Sequence, residues 1–127
     1  MGQLQDLFER FDRIVVLDTE TTGLSAARDE IIELAAVTLT RQGDEIRETG
    51  VYDQLIALSP GAYLPRMITE LTGITPQMLR EKGISKAQAC RDLMALVPDD
   101  RTLVAAYNAP LDLDFLLRSL LRSAEGQ

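Results

Sequence analysis

The chain has 127 residues, 46% of them hydrophobic, and a formal net charge of −7. This length suits one domain with a packed core. The single cysteine and the absence of histidine exclude an internal disulfide, a cysteine-based zinc site and imidazole acid–base chemistry. The acidic charge argues against non-specific coating of nucleic acid, but it does not exclude an enzyme whose bound cations contact phosphate.

We expect neither a membrane span nor a secretory signal in this sequence. No apolar run reaches membrane-spanning length, and residues 1–13 are too charged for a signal peptide. We therefore expect a cytoplasmic protein with no membrane partner. The apolar positions within Leu4–Phe11 have helical spacing and predict a short packing helix.

A strand without polar alternation follows at Ile14–Leu17, and its branched apolar residues predict burial on both faces of a sheet. Asp18 and Glu20 come directly after it, on the same face by strand alternation. Two adjacent carboxylates repel, and no Lys, Arg or His stands between Asp18 and Arg28 to neutralise them. We therefore expect a divalent cation, and oxygen ligands favour Mg²⁺ or Mn²⁺ over Zn²⁺. An isolated Asp-x-Glu would instead favour an ordinary polar turn at the end of a strand.

The composition of Glu30–Leu39 suits a helix or a strand, and its branched apolar residues favour a strand. A hairpin turn at Gln42–Asp44 then leads into a third predicted strand at Glu45–Tyr52. The chain therefore begins with an antiparallel meander. Within it, Glu33 stands among apolar neighbours. We favour a solvated strand face for this residue, and a position near a nucleotide is the alternative.

Three short helices are predicted in the middle of the chain. The first covers Arg66–Leu71, and the second runs from Pro76 to Leu79 with Thr75 as its N-cap. Ser85 caps the third helix, which ends at Pro98. Its apolar side is predicted to belong to the core and consists of Ala87, Ala89, Cys90, Leu93, Met94 and Val97.

The last predicted unit is a short buried strand at Leu103–Ala106 and a helix from Pro110 to Leu121. Asp112 falls in the first turn of this helix. There it would be stabilised by the helix dipole, or it would join Asp18 and Glu20 at the same edge of the sheet. The sequence pattern leaves both interpretations open.

Three short motifs occur in order along the chain, namely Asp18–Gly23, Leu71–Thr75, and Tyr107–Asp112 followed by Phe115 and Leu116. They resemble the motifs of the DEDD 3′–5′ exonucleases, especially the proofreading exonuclease of bacterial DNA polymerase III, as an epsilon subunit or a PolC-type domain. The similarity runs from Arg13 to Leu121. It implies a ribonuclease H-like α/β fold, with a mixed sheet of three antiparallel strands followed by a parallel strand–helix unit.

The resemblance also implies roles for individual residues. Asp18, Glu20 and Asp112 would be the catalytic carboxylates and the ligands of a two-metal Mg²⁺ or Mn²⁺ site. Two such ions about 3.5–4 Å apart stabilise the attacking and leaving oxygens of phosphodiester hydrolysis. The substrate would be the 3′ end of single-stranded DNA or RNA. The residues implied in binding its terminal nucleotide are Thr21, Leu71, Thr72, Ile74 and Asn108.

Two departures from the family pattern affect these expectations. Tyr107 and Leu111 stand where the second motif commonly has His and Phe. The third motif, with its general base and fourth Asp, and the final strand and helix would follow the helix that ends at Leu121. We therefore expect residues 1–127 to form a single, C-terminally incomplete exonuclease domain with weak or no activity alone.

The sequence leaves two other functions to consider beside an exonuclease. A non-catalytic nucleic-acid- or protein-binding module derived from the same fold is the main alternative. A phosphatase using Asp-x-Asp has little support because Glu20 replaces the second Asp and the other motifs would be unexplained. An incomplete sheet would expose an apolar edge, so we also expect self-association or docking onto a polymerase subunit.

Overall fold

The structure is a computed structural model that describes residues 8–25 and 27–106. Residues 8–10 are helical, in agreement with the C-terminal part of the predicted N-terminal helix. The elements that follow are β1 (Arg13–Thr21), β2 (Ile31–Gln42), β3 (Glu45–Leu55), α1 (Arg66–Thr72), α2 (Pro76–Lys82), α3 (Lys86–Leu96) and β4 (Thr102–Ala106). The predicted helix from Pro110 to Leu121 lies outside the described residues.

The four described strands form one mixed sheet in the order β3-β2-β1-β4. β1 pairs antiparallel with β2 and parallel with β4, and β2 pairs antiparallel with β3. The predicted meander and the parallel fourth strand are therefore confirmed. β1 lies between two strands, which explains its unbroken apolar run. Val15 and Leu17 are fully buried, whereas Val16, on the opposite face, is only half-buried.

The hairpin between β2 and β3 has a two-residue turn at Gly43 and Asp44. Gly43 has a φ of 65°, a conformation that glycine adopts without steric cost. The register of the hairpin shifts between Thr38 and Leu39, where a β-bulge inserts one extra residue into β3. β3 continues to Leu55, three residues beyond the predicted end, because the first half of β2 offers partners up to Glu33.

One face of the sheet is covered by α3. Ala89 of this helix is fully buried in a cluster with Val15 and Leu17, and Cys90 and Leu93 pack against that cluster. Met94 was predicted to be part of this core, and that prediction is wrong, since 68% of the residue is exposed. Successive residues rotate by about 100° around a helix, so Met94 turns away from the sheet once Ala89 and Leu93 face it.

A second, smaller cluster joins the start of β2 to α1 and α2. Its buried members are Ile32, Leu64, Ile74 and Leu79. The predicted caps are confirmed: the Thr75 hydroxyl accepts from Met78 N at 3.1 Å and the Ser85 hydroxyl accepts from Gln88 N at 3.0 Å. Within the described part of the chain, no helix is long and apolar enough to cross a membrane.

Candidate active site

Four carboxylates share the face of the sheet opposite to α3. The β1–β2 register pairs Asp18 with Ala35 and Glu20 with Glu33, and the β2–β3 register pairs Ala35 with Asp53. Directly opposed residues of antiparallel strands project to the same face, as do residues two apart on one strand. The predicted common face of Asp18 and Glu20 is therefore present, and the sheet adds Glu33 and Asp53 to it.

The carboxyl of Glu33 interacts with the other three carboxylates of this face. Its pKa rises from 4.5 to about 7 through partial burial, a hydrogen bond with Asp53, and the negative charges of Asp53, Glu20 and Asp18. Sequence reasoning favoured a solvated strand face for Glu33, and the structure corrects this interpretation. The side chain is half-buried beside acidic neighbours, which raise the pKa of its carboxyl above the usual value.

The bulge in the hairpin explains why Asp53 was not recognised. Without the shift between Thr38 and Leu39, the register that starts at the Gly43 turn would place Asp53 opposite Leu34, on the face that α3 covers. The extra residue moves Asp53 to the acidic face and Tyr52 to the core face. Gly50 lies beside the shift, and a glycine inside a strand is typical of a bulge, so this residue is the sequence signal that could have predicted it.

The donor chemistry of this face fits a hard divalent cation. All four side chains offer carboxylate oxygens as ligands, which suit Mg²⁺ or Mn²⁺. Among the described residues, however, no group of three or more His, Cys, Asp or Glu side chains is arranged to hold a metal ion. The proposed third ligand, Asp112, lies outside the described residues, as does the proposed nucleotide contact Asn108.

The backbone that leaves the acidic face is held by side-chain hydrogen bonds. Thr21, the last residue of β1, donates from its hydroxyl to the carbonyl oxygen of Gly23 at 2.7 Å. The next residue, Thr22, is buried and pairs with Glu30 through its backbone N–H. The predicted nucleotide contact at Thr21 thus lies beside Glu20 in a turn with a defined backbone path.

The other predicted nucleotide contacts surround the C-terminus of α1. Leu71 is 75% exposed and presents an apolar side chain to solvent. The Thr72 hydroxyl donates to Ile68 O at 2.7 Å and accepts from Ile74 N at 3.1 Å. Ile74 is buried in the second core cluster. Leu71 is therefore the most accessible of the three side chains, while Thr72 and Ile74 shape the turn beneath it.

A central strand that delivers two carboxylates to one face, flanked by an antiparallel meander and a parallel β4, defines the class of ribonuclease H-like nuclease folds. The family model described as Exonuclease (RNase_T) matches residues 15–126, and the chain belongs to this exonuclease family.

Curated relatives are PolC-type DNA polymerases III. The chain is 43% identical over 103 residues to the enzyme of Bacillus subtilis, a match that covers 80% of this chain and 6% of the relative. It is 39% identical over 102 residues to the enzyme of Thermotoga maritima, covering 80% of this chain and 7% of the relative. The chain thus spans less than a tenth of the length of these polymerases.

Solved structures confirm the fold. E. coli Exonuclease I in complex with a dT13 oligonucleotide superposes with a TM-score of 0.76 at 23% identity, covering 88% of this chain and 24% of that one. Apo Exonuclease I gives a TM-score of 0.77 at 22% identity, covering 89% and 25%. The expected ribonuclease H-like fold and the resemblance to exonucleases are both confirmed, while the roles of the individual site residues stay predictions.

Proposed function

We propose that this chain is a metal-dependent 3′–5′ exonuclease domain of the proofreading type, which hydrolyses phosphodiester bonds at the 3′ end of single-stranded DNA. The observation that carries the proposal is the acidic face. Asp18 and Glu20 leave the central strand together and meet Glu33 across the β1–β2 ladder, inside the stretch matched by the exonuclease family.

In this proposal, Asp18, Glu20 and Asp112 hold Mg²⁺ or Mn²⁺. Ions bound there would supply the Lewis-acid chemistry of phosphodiester hydrolysis. The chain's own residues orient the substrate: Leu71 contacts the terminal nucleotide, and the backbone around Thr21 contacts its sugar and phosphate. Thr72, Ile74 and Asn108 complete the nucleotide site.

The relatives favour DNA over RNA as the substrate, because PolC-type enzymes are DNA polymerases and the solved neighbours include one with bound dT13. With a net charge of −7, the chain would recognise the 3′ end through bound cations and local contacts rather than through a basic surface. Its partners would be a polymerase segment or subunit, or a second copy, in the cytoplasm. A non-catalytic binding module is the less supported alternative, since the carboxylate pair would then have no task.

A 5′-labelled single-stranded DNA oligonucleotide in Mn²⁺ tests the proposal. We expect a ladder of products shortened from the 3′ end, formed by the parent and lost in Asp18→Asn. Because the chain has no histidine to act as a general base, turnover should fall about 10²–10⁴-fold below that of an exonuclease with such a base. Asp44→Asn is the matched control because it removes the same charge from the exposed hairpin turn.

Internal cleavage products, or equal activity of the parent and Asp18→Asn, would overturn the proposal. A 3′-phosphorylated oligonucleotide gives a further control. If hydrolysis starts at the 3′ hydroxyl end, blocking that end should slow the reaction, whereas a contaminating endonuclease would be unaffected.

A further inference from the structure

The carboxylate of Asp29 forms hydrogen bonds across the turn between β1 and β2. Asp29 accepts from the Thr22 hydroxyl at 3.1 Å through Oδ1 and from Ser25 N at 2.8 Å through Oδ2. The Thr22 hydroxyl in turn accepts from Glu30 N at 2.9 Å, and Thr22 N donates to Glu30 O at 2.9 Å. These bonds tie the end of β1 to the start of β2.

Gly23 makes room for this carboxylate. A Cβ atom added at Gly23 would lie 2.5 Å from Asp29 Oδ2 and 2.7 Å from Asp29 Cγ, closer than real Cβ contacts. The φ of Gly23 is not positive, so its backbone conformation does not call for glycine, but a larger side chain here would displace the Asp29 carboxylate. Gly23 and Asp29 therefore act as one unit, which we call the Asp29 clamp.

Contacts of Glu30, the residue after Asp29, connect the clamp to the rest of the fold. Glu30 Oε1 forms an ion pair with Lys86 Nζ at 2.8 Å and accepts from Ser59 N at 3.0 Å. Both charged side chains of this pair are largely buried, and the Lys86 ammonium holds the pKa of the Glu30 carboxyl below its usual value despite the opposing effect of burial. The turn is thus anchored to the first residue of α3 at one end and to β1 at the other.

We propose that Asp29 is a positioning residue, which with Gly23 fixes the backbone of residues 21–23 in the conformation that receives the 3′-terminal nucleotide. The inference rests on the proposed function, and it follows from the place of the clamp. Thr21 directly follows Glu20, and the β1–β2 register shifts between these two residues, so the regular pairing of β1 is interrupted beside the acidic face. A preformed turn avoids the entropic cost of ordering these residues when substrate binds.

Two measurements distinguish the structural role of the Asp29 clamp from its role in substrate binding. Amide hydrogen exchange at Ser25 and Thr22 reports whether the turn is closed. The affinity of a fluorescent dT oligonucleotide in Ca²⁺, with a 3′ hydroxyl or a 3′ phosphate, reports how well the terminal nucleotide is received. We expect Asp29→Ala to speed exchange at both amides and to weaken binding of the 3′-hydroxyl oligonucleotide about tenfold, with a smaller loss for the 3′-phosphate form.

A double-mutant cycle tests whether Gly23 and Asp29 form one unit. Gly23→Ala alone should weaken binding as much as Asp29→Ala, because the added methyl group displaces the carboxylate. In the Asp29→Ala background, the same change should cost less than threefold, since the colliding group is gone. Asp44→Ala is the control, and it should change neither exchange nor binding.

Additive losses from Gly23→Ala and Asp29→Ala would overturn the clamp as a unit. Faster exchange in Asp29→Ala with unchanged binding would overturn its positioning role and leave a purely structural turn. Failure of the proposed function gives a different result: the parent would not distinguish a 3′ hydroxyl from a 3′ phosphate, although Asp29→Ala would still speed amide exchange.

Discussion

Replacement of Glu33 by Gln should stabilise the metal-free protein at neutral and alkaline pH. In the folded state, burial and the neighbours Asp53, Glu20 and Asp18 raise the pKa of Glu33 from 4.5 to about 7. In the unfolded chain, Glu33 has no such neighbours, and its carboxyl keeps its ordinary pKa. The parent therefore loses stability as the pH rises from about 4.5 to 7, because the folded state binds the extra proton over that range. A glutamine cannot ionise, and its amide can still donate to Asp53.

The gain in stability can be calculated from the shift in the pKa of Glu33. A rise from 4.5 to about 7 corresponds to at most about 3.4 kcal/mol, at about 1.36 kcal/mol per pH unit. Glu33 is only half-buried, and screening by solvent reduces the expected gain to about 1–2 kcal/mol. For a domain of this length, that gain raises the melting temperature by about 4–8 °C.

Thermal unfolding followed by circular dichroism, in EDTA at pH 4.5 and pH 8, measures the effect. We expect Glu33→Gln to melt close to the parent at pH 4.5 and above it at pH 8. Glu48→Gln removes an equal charge from an exposed position of β3 and should leave the melting temperature nearly unchanged at both values. A gain at pH 8 that is the same for both variants, or a gain of Glu33→Gln that does not depend on pH, would refute the reasoning.

Three other substitutions test separate parts of the structure. Asp18→Asn should raise the melting temperature of the metal-free protein and reduce the further rise produced by Mn²⁺. Asp44→Asn should keep the parental Mn²⁺ response, and equal responses of the two variants would count against Asp18 as a metal ligand. Tyr52→Phe removes the hydroxyl that donates to Asp92 between β3 and α3, so urea unfolding should show a loss of about 1.5 kcal/mol, and no loss would mean that the bond contributes little. Thr75→Ala removes the cap of α2 and should cost about 1 kcal/mol by the same assay, with Thr75→Ser close to the parent.

Local features of the fold were predictable from the sequence because each depends on neighbouring residues. The apolar run before Asp18 indicated a central strand, and strand alternation placed Asp18 and Glu20 on one face. The caps at Thr75 and Ser85 and the turn at Gly43 follow from short-range hydrogen bonding and backbone geometry. The resemblance of three motifs to exonucleases, which the family match confirms, implied a mixed sheet with three antiparallel strands followed by a parallel strand.

The composition of the acidic face was decided only by tertiary structure. Asp53 joins Glu33 because one extra residue in β3 shifts the register, and a shift of one residue moves a side chain to the other face of a sheet. Gly50 beside the shift is typical of a bulge, but the packing of Tyr52 against the core cluster is a long-range contact that no local pattern encodes. The Asp29 clamp is a similar case. Asp29 and Gly23 are six positions apart in an irregular turn, and their contact exists because the paired strands bring the two ends of that turn together.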